Sequence, residues 1–161
     1  MRKFAFVLLI AAFMSISAFA QAKSSIQGVW KVTEITTTGT EGKTMKVTQP
    51  SMYVFTKKHY SIIAVLGEKP REVLEDYSKA SQEQLNSIFV TGFRANAGTY
   101  ELKDGKLTVH PMVAKSPGYM KEGTWETSSI KLEGNMMTLA SEVSNSGPTK
   151  NPATFKLMRV E

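Results

Sequence analysis

His110 is the residue best suited to chemistry, because an imidazole titrates near neutrality and serves as a general base without further tuning. A catalyst would pair it with a carboxylate or a nucleophile, and none stands at a recognisable spacing from it. The other histidine is His59, and the chain contains no cysteine, so a transition metal would be poorly supplied with ligands. "EGKT" at 41–44 has the ending of a phosphate-binding loop. Thr37, however, stands where that loop requires its first glycine, and no strand and helix flank it. Neither a metal nor a cofactor is expected. Tyr53, Tyr60 and Tyr100 offer a different capability: turned inward, their hydroxyls need partners that a ligand or trapped water would supply.

What positions these side chains is a series of alternating runs separated by turn residues, the pattern of strands. The runs fall at 26–36, 52–56, 59–66, 94–102, 106–113, 120–132, 136–141 and 153–160. Eight strands are enough to close a small barrel without exposed edges. One helical stretch is expected at 81–91, where Ser81 and Gln84 form a capping box and Leu85, Ile88 and Phe89 lie on one side; 76–80 would extend it. The fold class is thus all-β, a roughly eight-stranded antiparallel up-and-down barrel with one short helix between the third and fourth strands.

Turn lengths orient the barrel. Lys57-Lys58, Asp104-Gly105 and Gly134-Asn135 make tight hairpins, whereas the connections at 39–50, 67–93, 114–119 and 142–152 are long. In an up-and-down array the short and long connections fall at opposite poles, giving a closed floor and a loop-ringed mouth. That asymmetry suits a container.

Hairpin counting also sets the interior. Phe55 lies opposite Tyr60, Tyr53 opposite Ile62, Leu102 opposite Leu107, Tyr100 opposite Val109, Leu132 opposite Met137, and Ile130 opposite Leu139. With Phe155 from the last run, the expected pocket wall is Tyr53, Phe55, Tyr60, Ile62, Tyr100, Val109, Leu139 and Phe155; the alternative is that these side chains simply fill the core. The same count places His110 opposite Thr99 on the polar face, unless a bulge near Pro111 reverses it. Trp125 falls out of phase with Ile130 and Leu132 unless Ser128-Ser129 is bulged, which makes it a rim residue or a pocket wall.

The first twenty residues read as a cleaved secretory signal: Arg2-Lys3, an apolar stretch from 4 to 13, and Ala18-Phe19-Ala20 as the small-residue cleavage site. The apolar run is shorter than the roughly 20 residues a membrane span requires. Without cysteine there is no lipid anchor and no disulfide framework. A periplasmic or secreted location is therefore expected for a single domain over 21–161. The net charge of +6 falls to +4 once Arg2 and Lys3 are removed, and the lysines are dispersed, which argues against nucleic acid as a partner.

Gly28-Val29-Trp30 opens the first run and Arg159, in "KLMRVE", closes the last. With these features the chain resembles a lipocalin-like domain of the calycin superfamily. More locally it resembles bacterial exported lipocalin-like proteins with an AGTYE…H segment, here AGTYE at 97–101 followed by His110-Pro111. The resemblance implies that Arg159 packs across Trp30 at the barrel floor, that Gly28 admits close backbone approach there, and that the interior takes a small hydrophobic or amphipathic molecule. The helix falls between the third and fourth strands rather than after the eighth, and the Thr-Asp-Tyr motif of animal lipocalins is absent. Two other functions stay open at this stage. One is an isomerase or hydrolase using His110 with a tyrosine; the other is a solid-cored interaction module working through 67–93.

Overall fold

The alternating runs fold as strands, and the tight turns set which residues face each other. The structure, a computed structural model, describes residues 25–38 and 42–161, so the expected leader at 1–20 lies outside the described residues. In chain order the strands are β1 (Gly28–Thr37), β2 (Thr44–Lys46), β3 (Ser51–Phe55), β4 (His59–Val65) and β5 (Phe93–Lys103). They continue with β6 (Lys106–Ala114), β7 (Glu126–Glu133), β8 (Met136–Ser144), β9 (Gly147–Pro148) and β10 (Ala153–Arg159). Strands β1, β3, β4, β5, β6, β7, β8 and β10 are each hydrogen-bonded antiparallel to the next, and β10 returns to β1. This is the expected eight-stranded up-and-down barrel, in general outline a calycin-like fold. The short strands β2 and β9 lie off this ring, on β1 and β8, within connections that sequence pattern leaves as loops.

All three tight turns form with the expected register. Asp104 and Gly105 have φ of 50° and 72°, and Gly134 has φ of 60°, the positive values that two-residue hairpins demand. Each turn is tied to a neighbouring strand at the same pole. Tyr100 N–H donates to the Lys58 carbonyl, Ile130 N–H to that of Gly105, and Arg159 N–H to that of Asn135.

Three bulges adjust the ring. On β6, Gly98 faces Pro111 while Ala97 faces Val113, so Met112 is the extra residue. Gly98 is required there because a Cβ would run into the His110 carbonyl. The bulge follows His110 rather than preceding it, so His110 keeps its place opposite Thr99 on the outer face. On β8 the extra residue is Glu142, and on β1 it is Thr33.

The sixth strand begins at Glu126 instead of 120. Pro117–Met120 forms a 3-10 turn, and Gly123, with φ of 74°, breaks the chain before the ladder starts. In the long excursion after β4, Ser81 caps α1 (Gln82–Leu85) through the expected box: Gln84 N–H donates to Ser81 Oγ at 3.1 Å, and Ser81 N–H to Gln84 Oε1 at 2.9 Å. The helix continues as a π turn, Asn86–Val90, that buries Ile88 and leaves Phe89 exposed. Tyr77–Lys79 is a separate 3-10 turn capped by Asp76, not an extension of the helix.

The floor is packed solid. Trp30, Met137 and Leu157 are fully buried, with Val32, Phe55, Tyr60 and Leu107 around them in one apolar cluster. Trp30 and Arg159 are cross-strand partners, and the Arg159 guanidinium lies 4.1 Å from the centre of the Trp30 ring. Its two terminal nitrogens donate to the Gln27 and Ser25 carbonyls, each at 2.5 Å, while Trp30 Nε1 donates to the Ile26 carbonyl at 2.8 Å. Residues 25–27 are thereby drawn across the floor, with Ile26 buried beneath it. Gly28 turns the chain into β1 with φ of 132°, and a Cβ at this position would meet Arg159 and the Glu161 carbonyl. No side chain other than hydrogen fits that corner.

Candidate functional site

Above the packed floor the barrel holds a cavity of about 560 Å3, within the range of small-molecule sites. Its lower wall is apolar: Phe55, Ile62, Leu107, Val109, Leu139 and Phe155. Its upper wall is contributed by long connections, among them Lys115, Ser116 and Tyr119 on one side and the stretch from Ser146 to Lys150 on the other. The cavity therefore opens at the pole opposite the tight turns.

Six of the eight side chains expected in the wall line this cavity: Tyr53, Phe55, Ile62, Val109, Leu139 and Phe155. Tyr60 and Tyr100 do not. Tyr60 is buried beside the close approach of Gly98 and Pro111, where its ring fills the layer below the cavity. Tyr100 sits nearer the floor, edge-on to Phe55 with ring centres 5.5 Å apart, and donates its hydroxyl to the Thr56 carbonyl at 2.7 Å. Its hydroxyl is thus satisfied by the chain itself.

His110 and Trp125 are likewise outside the wall. With the β6 bulge placed after it, the imidazole stays on the outer surface, away from Tyr100 and from the cavity. Trp125 precedes β7 at the rim, where its backbone N–H donates to Asn145 Oδ1 at 3.4 Å and its carbonyl accepts from Asn145 N–H at 3.2 Å. The bulge that would turn it inward falls on β8 instead, so β7 keeps its phase. The excursion at 67–92 contributes no wall residue and is not a lid over the cavity. Arg71 ties the excursion to itself by donating to the Ile88 carbonyl, and Lys115 joins it to the start of β5 by donating to the Val90 and Phe93 carbonyls.

The unexpected content of the cavity is polar. Arg94 and Asn96 on β5 and Glu126 on β7 point inward among apolar neighbours. Arg94 Nη2 faces Glu126 Oε2 at 3.4 Å, long for a charge-assisted bond, and its guanidinium lies 5.8 Å from the Phe155 ring centre. Tyr119, on the 3-10 turn at the mouth, donates to Glu126 Oε1 at 2.8 Å and so pins that turn to β7. Thr127 is buried on the outer side of the same strand and is satisfied by Thr108 at 2.9 Å.

Two hydroxyls are left over. Among the described residues neither Tyr53 Oη nor Tyr60 Oη has a hydrogen-bond partner, although both residues are almost fully buried. Burial pushes both phenols above the usual tyrosine range; the Arg94 cation pulls the other way on both, and it also faces the Tyr53 oxygen as a donor, in a geometry too loose to make a formed hydrogen bond. Tyr119 is raised by burial and by its bond to Glu126. All three therefore remain neutral O–H donors at physiological pH. Burial works against the charge on Arg94, and the Glu126 carboxylate beside it favours the cation, so the guanidinium stays charged.

Arg94, Asn96 and Glu126 escape a reading that stops at the apolar members of each hairpin. Extending the count would have found them: Arg94 and Asn96 are in phase with Tyr100, and Glu126 with Ile130 and Leu132. Tyr119 carries no such signal, since it sits on an irregular turn.

Among the described residues no set of three or more histidine, aspartate or glutamate side chains is placed to hold a metal ion, and no helix is long and apolar enough to cross a membrane. No family model and no curated protein matches the sequence. Among solved structures, the chain is similar to an uncharacterized protein from Bacteroides eggerthii, at 11% identity and a TM-score of 0.45 over 84% of this chain and 99% of that one.

Proposed function

We propose that the protein is an exported lipocalin-like carrier that binds a small hydrophobic or amphipathic molecule in the upper half of its barrel. The observation that supports this most directly is the cavity of about 560 Å3, floored by packed side chains beneath it and open toward the long connections. Its apolar lower wall would take the body of the ligand, and the few inward polar groups would orient it. A catalytic reading based on His110 has no comparable support, because the imidazole does not reach the cavity.

Calorimetric titration with fatty acids, retinoids, sterols and quinones tests the binding reading. Saturable one-to-one binding by one of these classes is expected, and it should disappear when the cavity is filled by Ser141→Phe. Silence across the panel, with native mass spectrometry of the exported protein showing no retained molecule, would overturn it. Export is tested separately: N-terminal sequencing of the mature protein should begin at Gln21.

A further inference from the structure

We propose that the ligand's polar end is an oxygen hydrogen-bond acceptor, a carboxylate or an ester carbonyl, received by Arg94 together with the Tyr53 hydroxyl. The inference deepens the carrier reading and rests on it. It follows from counting what the cavity offers and what it lacks.

The interior has a surplus of donors. A guanidinium carries five N–H donors and no acceptor; among the described residues Arg94 spends one of them on Glu126 and faces the Tyr53 oxygen without closing a bond to it. Tyr53, which lines the cavity, holds an O–H with no acceptor. On the acceptor side, Glu126 is the one carboxylate among the lining residues, and both its oxygens are already engaged, by Tyr119 and by Arg94. The lining cations are three, Arg94, Lys115 and Lys150. A head group that brings acceptor oxygens would answer the unspent donors and the excess positive charge together. A cationic head would answer neither, and would leave the same hydroxyl unsatisfied.

Tyr53 also argues against a purely apolar guest. A phenylalanine would fill its position with the same ring and without a stranded hydroxyl. An oil-like ligand would leave the Tyr53 O–H buried without an acceptor.

Three probes with the same tail separate the possibilities: dodecanoate, methyl dodecanoate and dodecyltrimethylammonium, titrated calorimetrically below their micelle concentrations. The acid and the ester should bind at least about tenfold more tightly than the ammonium, since hydrogen bonds to a charged group are at stake. Tyr53→Phe should weaken dodecanoate by roughly three- to tenfold and leave the ammonium unchanged. Arg94→Met should weaken it by about tenfold or more. Because losing Arg94 exposes Glu126 to burial without a cation, Arg94→Lys provides a milder test of the same head-group preference, and Tyr60→Phe, outside the wall, should leave all three probes unchanged. A merely structural role for these residues would shift the three probes together. If all three bind alike, or the ammonium binds best, the head-group assignment fails while the cavity reading survives. If none of the three binds, the head-group assignment fails, and the carrier reading stands or falls with the wider panel and the native mass spectrum.

Discussion

The two halves of the barrel are made from the same eight strands and differ in almost every other respect. Near the floor, the inward positions carry Trp30, Phe55, Tyr60, Leu107, Met137 and Leu157, which fill the space completely. Near the mouth, the inward positions on the same or neighbouring strands carry Arg94, Asn96, Ala114, Glu126, Ser128 and Ser141, which leave it open. The alternation of side chains runs through both halves, shifted by one residue at the bulges on β1, β6 and β8. What changes most is side-chain volume and polarity, so the container is created chiefly by residue choice on a shared set of strands, and the connections frame it. Stability should accordingly reside in the floor, and ligand response in the upper half.

The strongest way to break that division is Trp30→Ala. Removing a fully buried indole from the floor should cost about 3–5 kcal/mol in guanidinium unfolding. A cost below about 1 kcal/mol would show that the floor is not where the fold is held. Gly98→Ala comes next, at about 1–3 kcal/mol, because the added methyl meets the His110 carbonyl and forces the β6 bulge to shift. Arg159→Lys should follow with about 1–2 kcal/mol. It keeps a cation over Trp30 but loses the fork that bonds the Ser25 and Gln27 carbonyls together.

At the boundary between the halves, the double replacement Tyr53→Phe and Tyr60→Phe should change neutral-pH stability by no more than about 1 kcal/mol, since it deletes hydroxyls that make no bond within the described residues. Its effect belongs to alkaline pH. Both phenols are held above their ordinary value of 10.0, so the folded protein keeps protons that the unfolded chain releases above that pH. Their contribution is fully present below pH 10.0 and is lost as pH rises toward the folded values. Urea midpoints measured from pH 9 to 11 should fall for the wild type and fall less for the double variant. Smallest of all should be His110→Ala. On the outer face it should move stability by less than about 0.5 kcal/mol and leave ligand titrations unchanged.

Much of this architecture was legible from particular residues. Lys57-Lys58, Asp104-Gly105 and Gly134-Asn135 predict the observed pairing to the residue, because a two-residue turn leaves a strand no freedom of register. Ser81 and Gln84 likewise announce the helix start, an interaction completed within four residues. The helix end was harder to read, since a π turn and Gly92 replace the regular continuation. The wall was legible in its apolar part. For Tyr60 and Tyr100 hairpin counting yields the inward facing but not the depth, because it does not fix the level at which the interior stops being filled. His110 and Trp125 turned on which strand of a pair carries the extra residue, and a bulge on β8 instead of β7 reverses the outcome at Trp125.

Alternation, turn type and the capping box act between residues near in sequence, and they were sufficient for the strands, the hairpins, and the separation of a short-turn pole from a long-loop pole. Closure of the ring decided the rest. Arg94 and Glu126 are 32 positions apart and meet because β5 and β7 curve around one interior. Tyr53 and Tyr60 lose their water only when the barrel closes over them. Desolvation and charge pairing depend on what surrounds a group in space, and in a closed barrel those surroundings come from strands that local pattern cannot bring together.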